Sequence, residues 1–481
     1  MSSLLNLKEL VSGTHGKIIG SRIECFFESV ATDSRQVQKN TMFVPLVGEF
    51  QDGHKYIPSS IEKGASVVLL NESEYNQKKE FYNSLAEENE KVVFVCVENT
   101  LHGLQDAAET YVSKFPELLK ISITGSSGKT TTKEMLVSVF NEEYGNDLVY
   151  TQGNLNSETG LPLSVFNIRE NHKVGIFEMG MNRVNEIAEI SKVLKSQVGI
   201  ITNIGTAHIG ILGSRENIAK EKRHSFDYIP RNGAAFVPAD DDFAGFCTKN
   251  VRGKVIKYGR SVPEKKDGVI FIEDKGLFGT KFSLDGVEIN LPLCGDYNYQ
   301  NALGVVACAK FCGISVEKIK SGIENVSAVG GRMEALEIVL KSGKNAVLIK
   351  DCYNANLDSM TKSVEFTAGI SDSGKKIFVL ADMKELGAKS EESHRIIGKK
   401  LTELNADYAF FVGPEMKYAF SEADGKIKVF WYENNSSESF SAIAEKINEI
   451  AEDKDVILIK GSHSMELEKL IPLLGSCRER K

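Results

Sequence analysis

Between residues 121 and 135 the chain reads ISITGSSGKTTTKEM, an apolar run that enters a glycine-bounded turn and leaves as a helix beginning Lys129, Thr130, Thr131. Gly125 and Gly128 allow a tight turn and a close approach of backbone to a ligand. With Ser126 and Ser127 between them, backbone N–H groups and a helix N-terminus present positive partial charge to an anion. Such a loop holds phosphates: Lys129 would lie over the β- and γ-phosphates of a nucleotide, and the Thr130 hydroxyl would complete a Mg²⁺ shell. The spacing is GxxGKT, tighter than GxxxxGK[ST], because Ile123 occupies the place of the first glycine. The plainer alternative is a glycine-rich turn with a helix-capping threonine.

A phosphate-bound cation needs an acid at a neighbouring strand end. Glu178, closing VGIFEMG, fits, with Phe177 and Met179 as sheltering neighbours. The next run leads through ITNIGTAHIGILGS to His208, a candidate ligand that equally reads as a capping or core residue.

These residues need strands to hold them. Apolar, β-branched runs recur at 66–71, 91–97, 119–125, 174–180, 198–205, 346–351, 376–382, 408–413 and 456–462, separated by helix-length amphipathic stretches. Continuous apolar runs suit parallel strands buried on both faces, and their alternation with helices predicts α/β domains with ligands at the carboxyl ends of the strands. Residues 258–293 differ: short alternating runs with Asp-Gly signals predict antiparallel hairpins inserted in a central domain. A helix is expected at 299–311, and domain boundaries near 97–110 and 326–331.

The 481 residues predict three domains, or two at the least. With 42% hydrophobic and 26% charged positions the composition is that of a globular protein, and a net charge of −8 offers no attraction for nucleic acid. No run of about 18 apolar residues occurs, so no membrane span is expected. The N-terminus lacks the pattern of a secretion signal. Eight scattered cysteines with no CxxC pair suggest neither a disulfide framework nor a zinc site, and Cys308 and Cys312 read as core thiols. A cytoplasmic location is expected.

Taken together, several long motifs resemble the Mur ligases, the ATP-dependent amide-forming enzymes of peptidoglycan precursor synthesis. They are TGSSGKTT (124–131), TQGNLNSETGLPLS (151–164), EMGMNRVNEI (178–187), NIGTAHIGILGSRENIAKEK (203–222), GDYNYQNAL (295–303), GGRME (330–334) and DCYNANLDSM (351–360). The resemblance covers essentially the whole chain, and residues 32–57 are similar to the family's UDP-sugar domain. It implies an α/β fold of three domains: 1–100 binding the UDP-sugar, 101–328 a central P-loop mononucleotide-binding domain with a mainly parallel sheet, and 329–481 a C-terminal Rossmann-like ligase domain. YNAN with SM after it, ADMKELGAKSEESH (381–394) and KGSHSMELE (460–468) point to the branch whose substrates are UDP-N-acetylmuramoyl-tripeptide and D-alanyl-D-alanine.

The implied chemistry is attack of a substrate carboxylate on the γ-phosphate of ATP, then displacement of phosphate from the acyl phosphate by an amine. No nucleophilic side chain is needed, in keeping with the lack of any Ser/His/Asp or Cys/His signature. The resemblance assigns Lys129, His208 and Lys222 to catalysis. It places one Mg²⁺ at Thr130 and Glu178 and a second near His208. Lys222 matches a position carbamylated in many relatives, where the carbamate, an anion, would contribute to the second metal's site, with Lys220 as the competing candidate and two exposed helix lysines as the plain reading. Carbamate formation needs a neutral amine, hence a lysine with a lowered pKa.

ATP contacts would come from Gly125 to Thr131, from Asn298 and Asn301, and, when the C-terminal domain closes on a hinge near 326–331, from Arg332 and Asp351. Asp33, Ser34 and Arg35 would engage the UDP-sugar. Thr151, Asn154 and Asn156 offer contacts to the diphosphate or peptide, or are turn residues beside Gly153. Tyr353, Asn354, Asn356 and Ser462 are candidates on the dipeptide side. A monomer is expected. The alternatives are another substrate within the family, a folylpolyglutamate synthetase-like enzyme, or a nucleotide-hydrolysing switch; the switch leaves 32–57, 151–164 and 381–394 unexplained.

Overall fold

The computed structural model describes residues 3–20, 23–48, 50–328, 330–371 and 373–479. The strand that feeds the phosphate loop, Leu119–Thr124, is central in a six-stranded, all-parallel sheet. Its two neighbours are Val174–Glu178 and Val198–Ile201, with Leu148–Tyr150 beyond the first and Ala234–Pro238, then Lys254–Tyr258, beyond the second. Apolar side chains on both faces of these strands explain the placement: Ile121 and Ile123 face one core cluster while Phe177 and Ile201 face another. The carboxyl ends of three adjacent strands therefore deliver the phosphate loop, Glu178 and the segment leading to His208 to one edge.

The helix Asp296–Phe311 covers one face of this sheet. A three-stranded antiparallel sheet, Val269–Asp274, Thr280–Leu284 and Val287–Leu291, forms where alternating runs predicted hairpins. Its second turn is Asp285-Gly286, both in the left-handed region (φ 48° and 86°), as a two-residue hairpin turn demands.

The first sheet has five strands, parallel except for Lys17–Ile19, which pairs antiparallel with Val93–Val97. The helix Thr100–Val112 follows it directly and contributes Leu104, Ala107, Ala108 and Tyr111 to a cluster that also holds Val67 and Val95 of the first sheet and Phe177 and Ile190 of the second unit. One continuous core thus joins the two sheets through this helix.

The last sheet has seven strands. Asn345–Asp351, Lys376–Ala381, Tyr408–Val412, Lys428–Tyr432 and Val456–Lys460 run parallel; Glu334–Leu340 and Gly475–Glu479 add antiparallel strands at one edge. Val456–Lys460 lies between Asn345–Asp351 and Lys376–Ala381, so the chain order reverses there, the position where open α/β sheets form a binding crevice. Cys308 is buried and Cys312 half-buried.

Candidate active site

The phosphate loop is braced from the strand beside it. Ser127 N donates to Asn203 Oδ1 at 2.9 Å, Ser126 N to Asn203 O at 3.1 Å, and Gly205 N to Ser126 Oγ at 2.9 Å. Gly128 has φ +80°, and a Cβ there would sit 2.8 Å from the Asn301 carboxamide. At Gly125 it would overlap the Thr202 hydroxyl. Both glycines are therefore required by backbone conformation and by close neighbours. Lys129 opens the helix Lys129–Tyr144 and donates from Nζ to Gly125 O at 2.9 Å. Desolvation lowers its pKa, opposed by the charge of Glu178 and reinforced by that of Arg332.

Glu178 is 1% exposed. Its Oε1 accepts from Asn156 Nδ2 at 2.7 Å, and its Oε2 is buried without a hydrogen-bond partner. A carboxylate oxygen shielded from water and left unpaired beside a phosphate loop fits a bound cation. Among the described residues no group of three or more His, Cys, Asp or Glu converges. His208 takes a left-handed conformation, φ 62°, and its Nδ1 lies 2.8 Å from Glu385 Oε2.

Lys222 and Lys220 separate cleanly. On the helix Arg215–Arg223, Lys220 is exposed and touches Asn217, whereas Lys222 is 1% exposed. Burial drives the Lys222 pKa well below the ordinary lysine value, and the charge of Lys129 adds to this. The Glu221 carboxylate opposes the shift.

A cavity of about 1510 Å³ connects the site to the last sheet. Ser126 to Thr131, Asn154, Asn156, Glu178, His208, Asn298, Asn301, Arg332, Asp351, Tyr353, Asn354 and Asn356 all line it. Several of these are committed elsewhere. Both Asp351 oxygens are engaged within its own domain, Oδ2 by Lys460 Nζ and Ser363 Oγ at 2.6 Å each and Oδ1 by Met333 N at 3.2 Å. Removing one partner from so buried a pair costs about 3–5 kcal/mol. Asn356 caps the helix Leu357–Ala368 through Ser359 N, so its side chain is not a free dipeptide contact. Arg332 stacks on Tyr353, 3.6 Å from the ring centroid, and Asn298 Nδ2 donates to Cys294 O.

Others lie outside the cavity. Thr151 is fully buried and its hydroxyl accepts from the backbone Glu178 N at 3.1 Å, so it braces the strand end that carries Glu178 and is not a surface contact. Ser462 is 4% exposed, with its hydroxyl accepting from Lys384 N. Asp33 and Arg35 pair with each other on an exposed turn, where Ser34 O accepts from Lys63 Nζ. Asp358, Glu385 and Lys460 lie inside sequence motifs that do not mark them as site residues. Lys460 is detectable as a lysine ending a buried strand; Asp358 and Glu385 carry no such signal.

Three family models match: the Mur ligase middle domain over residues 123–309, the Mur ligase glutamate ligase domain over 331–463, and the Mur ligase family catalytic domain over 27–111. The UDP-N-acetylmuramoyl-tripeptide–D-alanyl-D-alanine ligase of Treponema pallidum is 37% identical, over 98% of this chain and 99% of the relative. Its namesake in Bacillus subtilis is 31% identical, over 97% and 96%. Among solved structures, MurF from Acinetobacter baumannii superposes with a TM-score of 0.83 at 28% identity, covering 97% of each chain. MurF ligase from Thermotoga maritima in complex with ADP, at 23% identity and a TM-score of 0.75, shares the fold over 92% of this chain and 96% of that one.

Proposed function

The chain belongs to the Mur ligase family, and from that premise we propose that it joins D-alanyl-D-alanine to UDP-N-acetylmuramoyl-tripeptide at the expense of ATP, forming ADP and phosphate in peptidoglycan precursor synthesis. The observation that carries this reading is the end-to-end match to two ligases of that name, 37% and 31% identical over nearly all of both chains.

The tripeptide carboxylate attacks the γ-phosphate, ADP leaves, and the dipeptide amine then displaces phosphate from the acyl carbon. Every part of this is positioning and charge neutralisation. The phosphate loop amides hold the triphosphate, and Lys129 offsets the charge on the transferring group. Glu178, Thr130 and His208 are the residues that would hold Mg²⁺, which when bound neutralises phosphate charge and polarises the acyl oxygen. Lys222, if carboxylated by CO₂, becomes an anion that would join them in place of a buried cation. Asn156 keeps Glu178 turned toward the loop, and Thr151 braces the strand end that carries it. Arg332 and Tyr353 come from the last domain and close the cavity. Residues 1–100 take the UDP-sugar, 101–328 the ATP and 329–481 the dipeptide. No helix among the described residues is long and apolar enough to cross a membrane, and we read the enzyme as a cytoplasmic monomer.

A mass-resolved coupling assay tests the proposal. ATP, Mg²⁺, D-alanyl-D-alanine and a UDP-muramoyl-tripeptide ending in lysine or in diaminopimelate are expected to yield the dipeptide adduct with matched phosphate. Phosphate release without adduct counts against it. Glu178→Ala is expected to raise the Mg²⁺ concentration for half-maximal turnover by about tenfold or more. A magnesium titration that superposes on the wild type's removes Glu178 from the ligand set.

A further inference from the structure

Residues 203–213, which carry His208, are held from two sides. On one side they brace the phosphate loop, through Asn203 and Gly205. On the other they meet the last domain at three points. Asp358 Oδ2 accepts from Thr206 N at 2.6 Å and from Thr206 Oγ1 at 2.7 Å. Gly210 N donates to Glu385 O at 3.0 Å. The Glu385 carboxylate lies against His208 Nδ1 at 2.8 Å.

The packing shows that this seam is fitted closely. A Cβ on Gly210 would come within 2.5 Å of Gly387 N and 2.6 Å of Glu385 O, and one on Gly205 within 2.4 Å of Asp358 Oδ2. Ile209 packs against the core of the first two domains and against that of the last. His208 and Glu385 are both non-glycine residues with positive φ, 62° and 63°. Such conformations persist only where the surroundings hold them. The Glu385 carboxylate lies against one imidazole nitrogen of His208, so a charged group of one domain packs on a side chain of another.

We infer that Asp358 and Glu385 are positioning residues which clasp the 203–213 loop, so that seating of the last domain and setting of the phosphate loop and His208 are a single event. The inference rests on the ligase reading only for what the seating serves; the clasp is a property of the chain without ligands. Its energetic centre is Asp358. One ionised oxygen takes both donors of Thr206, and bonds to a charged acceptor are the stronger class. Glu385 adds the backbone bond and the contact with His208, and the glycines admit the close approach.

Hydrogen exchange on the whole enzyme, read by mass in peptides covering 203–213, tests it. Asp358→Ala is expected to speed exchange there by about tenfold or more while peptides from Leu119–Thr124 keep their protection, which shows that the variant is folded. Asp358→Asn retains an acceptor oxygen and is expected to restore much of the protection. Gly210→Ala, acting by overlap at a different point, is expected to expose the same peptide. In turnover, Asp358→Ala is expected to raise KM for ATP by about tenfold, with recovery in the asparagine variant. Exchange of 203–213 unchanged in both Asp358→Ala and Gly210→Ala overturns the clasp, whatever the coupling assay shows. Conversely, a wild-type enzyme that makes no dipeptide adduct while these variants expose the loop refutes the ligase reading and leaves the clasp standing.

Discussion

Lys129→Ala is expected to lower turnover by about a thousandfold or more while the fold survives. The substitution removes a cation from the first residue of the helix that receives the triphosphate. Loss of one pre-organised electrostatic donor costs about 10²–10³ in rate, and loss of a full charge at a transferring phosphoryl about 10³–10⁵. The native structure loses much less: one bond from Nζ to Gly125 O, about 1 kcal/mol, from a side chain whose desolvation already disfavours its charge. Activity and stability should therefore part company. Single-turnover ADP release and thermal melting on the same sample read both. Turnover within tenfold of wild type would mean that the loop amides neutralise the phosphates unaided. Lys129→Arg is expected to fail as well, since a planar guanidinium is a poor substitute for a compact ammonium under Gly125.

How much of this could be seen in the residues alone depends on where each signal lives. Leu119–Thr124 and Val174–Glu178 are buried on both faces, so their apolar runs mark them, and the residues that follow inherit a strand-end position. Ala234–Pro238 is as deeply buried, but its alanines and closing proline carry little strand signal. Lys254–Tyr258 is an edge strand with exposed lysines, which reads as surface. Three-residue strands such as Ser29–Ala31 and Leu148–Tyr150 are too short to display a period.

Side-chain commitments are harder still. Thr151 and Asn156 stand in a glycine- and asparagine-rich stretch that suits a substrate contact or a turn equally; only the fold shows them spent on Glu178. Asn356 looks like a ligand and is a helix cap. Asp358 and Glu385 act on partners more than 150 positions away in the chain, a distance over which no local pattern speaks. Lys220 and Lys222 differ by two positions on one short helix, and a two-residue step turns one to water and the other to the interior.

That last separation makes the second large prediction specific. Lys222→Ala is expected to cost about 10²–10³ in turnover, the scale of one charge at the reacting centre, and to be partly restored by formate or acetate in the assay. As an ammonium, Lys222 is buried and near the charge of Lys129, with the charge of Glu221 opposing these only in part. Burial disfavours the charged form and lowers the pKa, so the amine is neutral at a pH where an exposed lysine is still protonated. Only the neutral amine adds to CO₂, so the carbamate forms above the depressed pKa and is lost as the pH falls through it. Wild-type turnover should therefore rise with added bicarbonate in CO₂-depleted buffer, most steeply on the acid side, while the alanine variant rescued by acetate shows no bicarbonate response. Lys220→Ala, which removes an exposed side chain bonded to Asn217, is expected to stay within twofold of wild type. Carbon-13 bicarbonate gives a readout independent of turnover: a carbamate resonance present in wild type and in Lys220→Ala but missing in Lys222→Ala. No resonance in wild type, together with no rescue at any carboxylate concentration, would leave Lys222 a buried neutral amine whose loss is felt through packing alone.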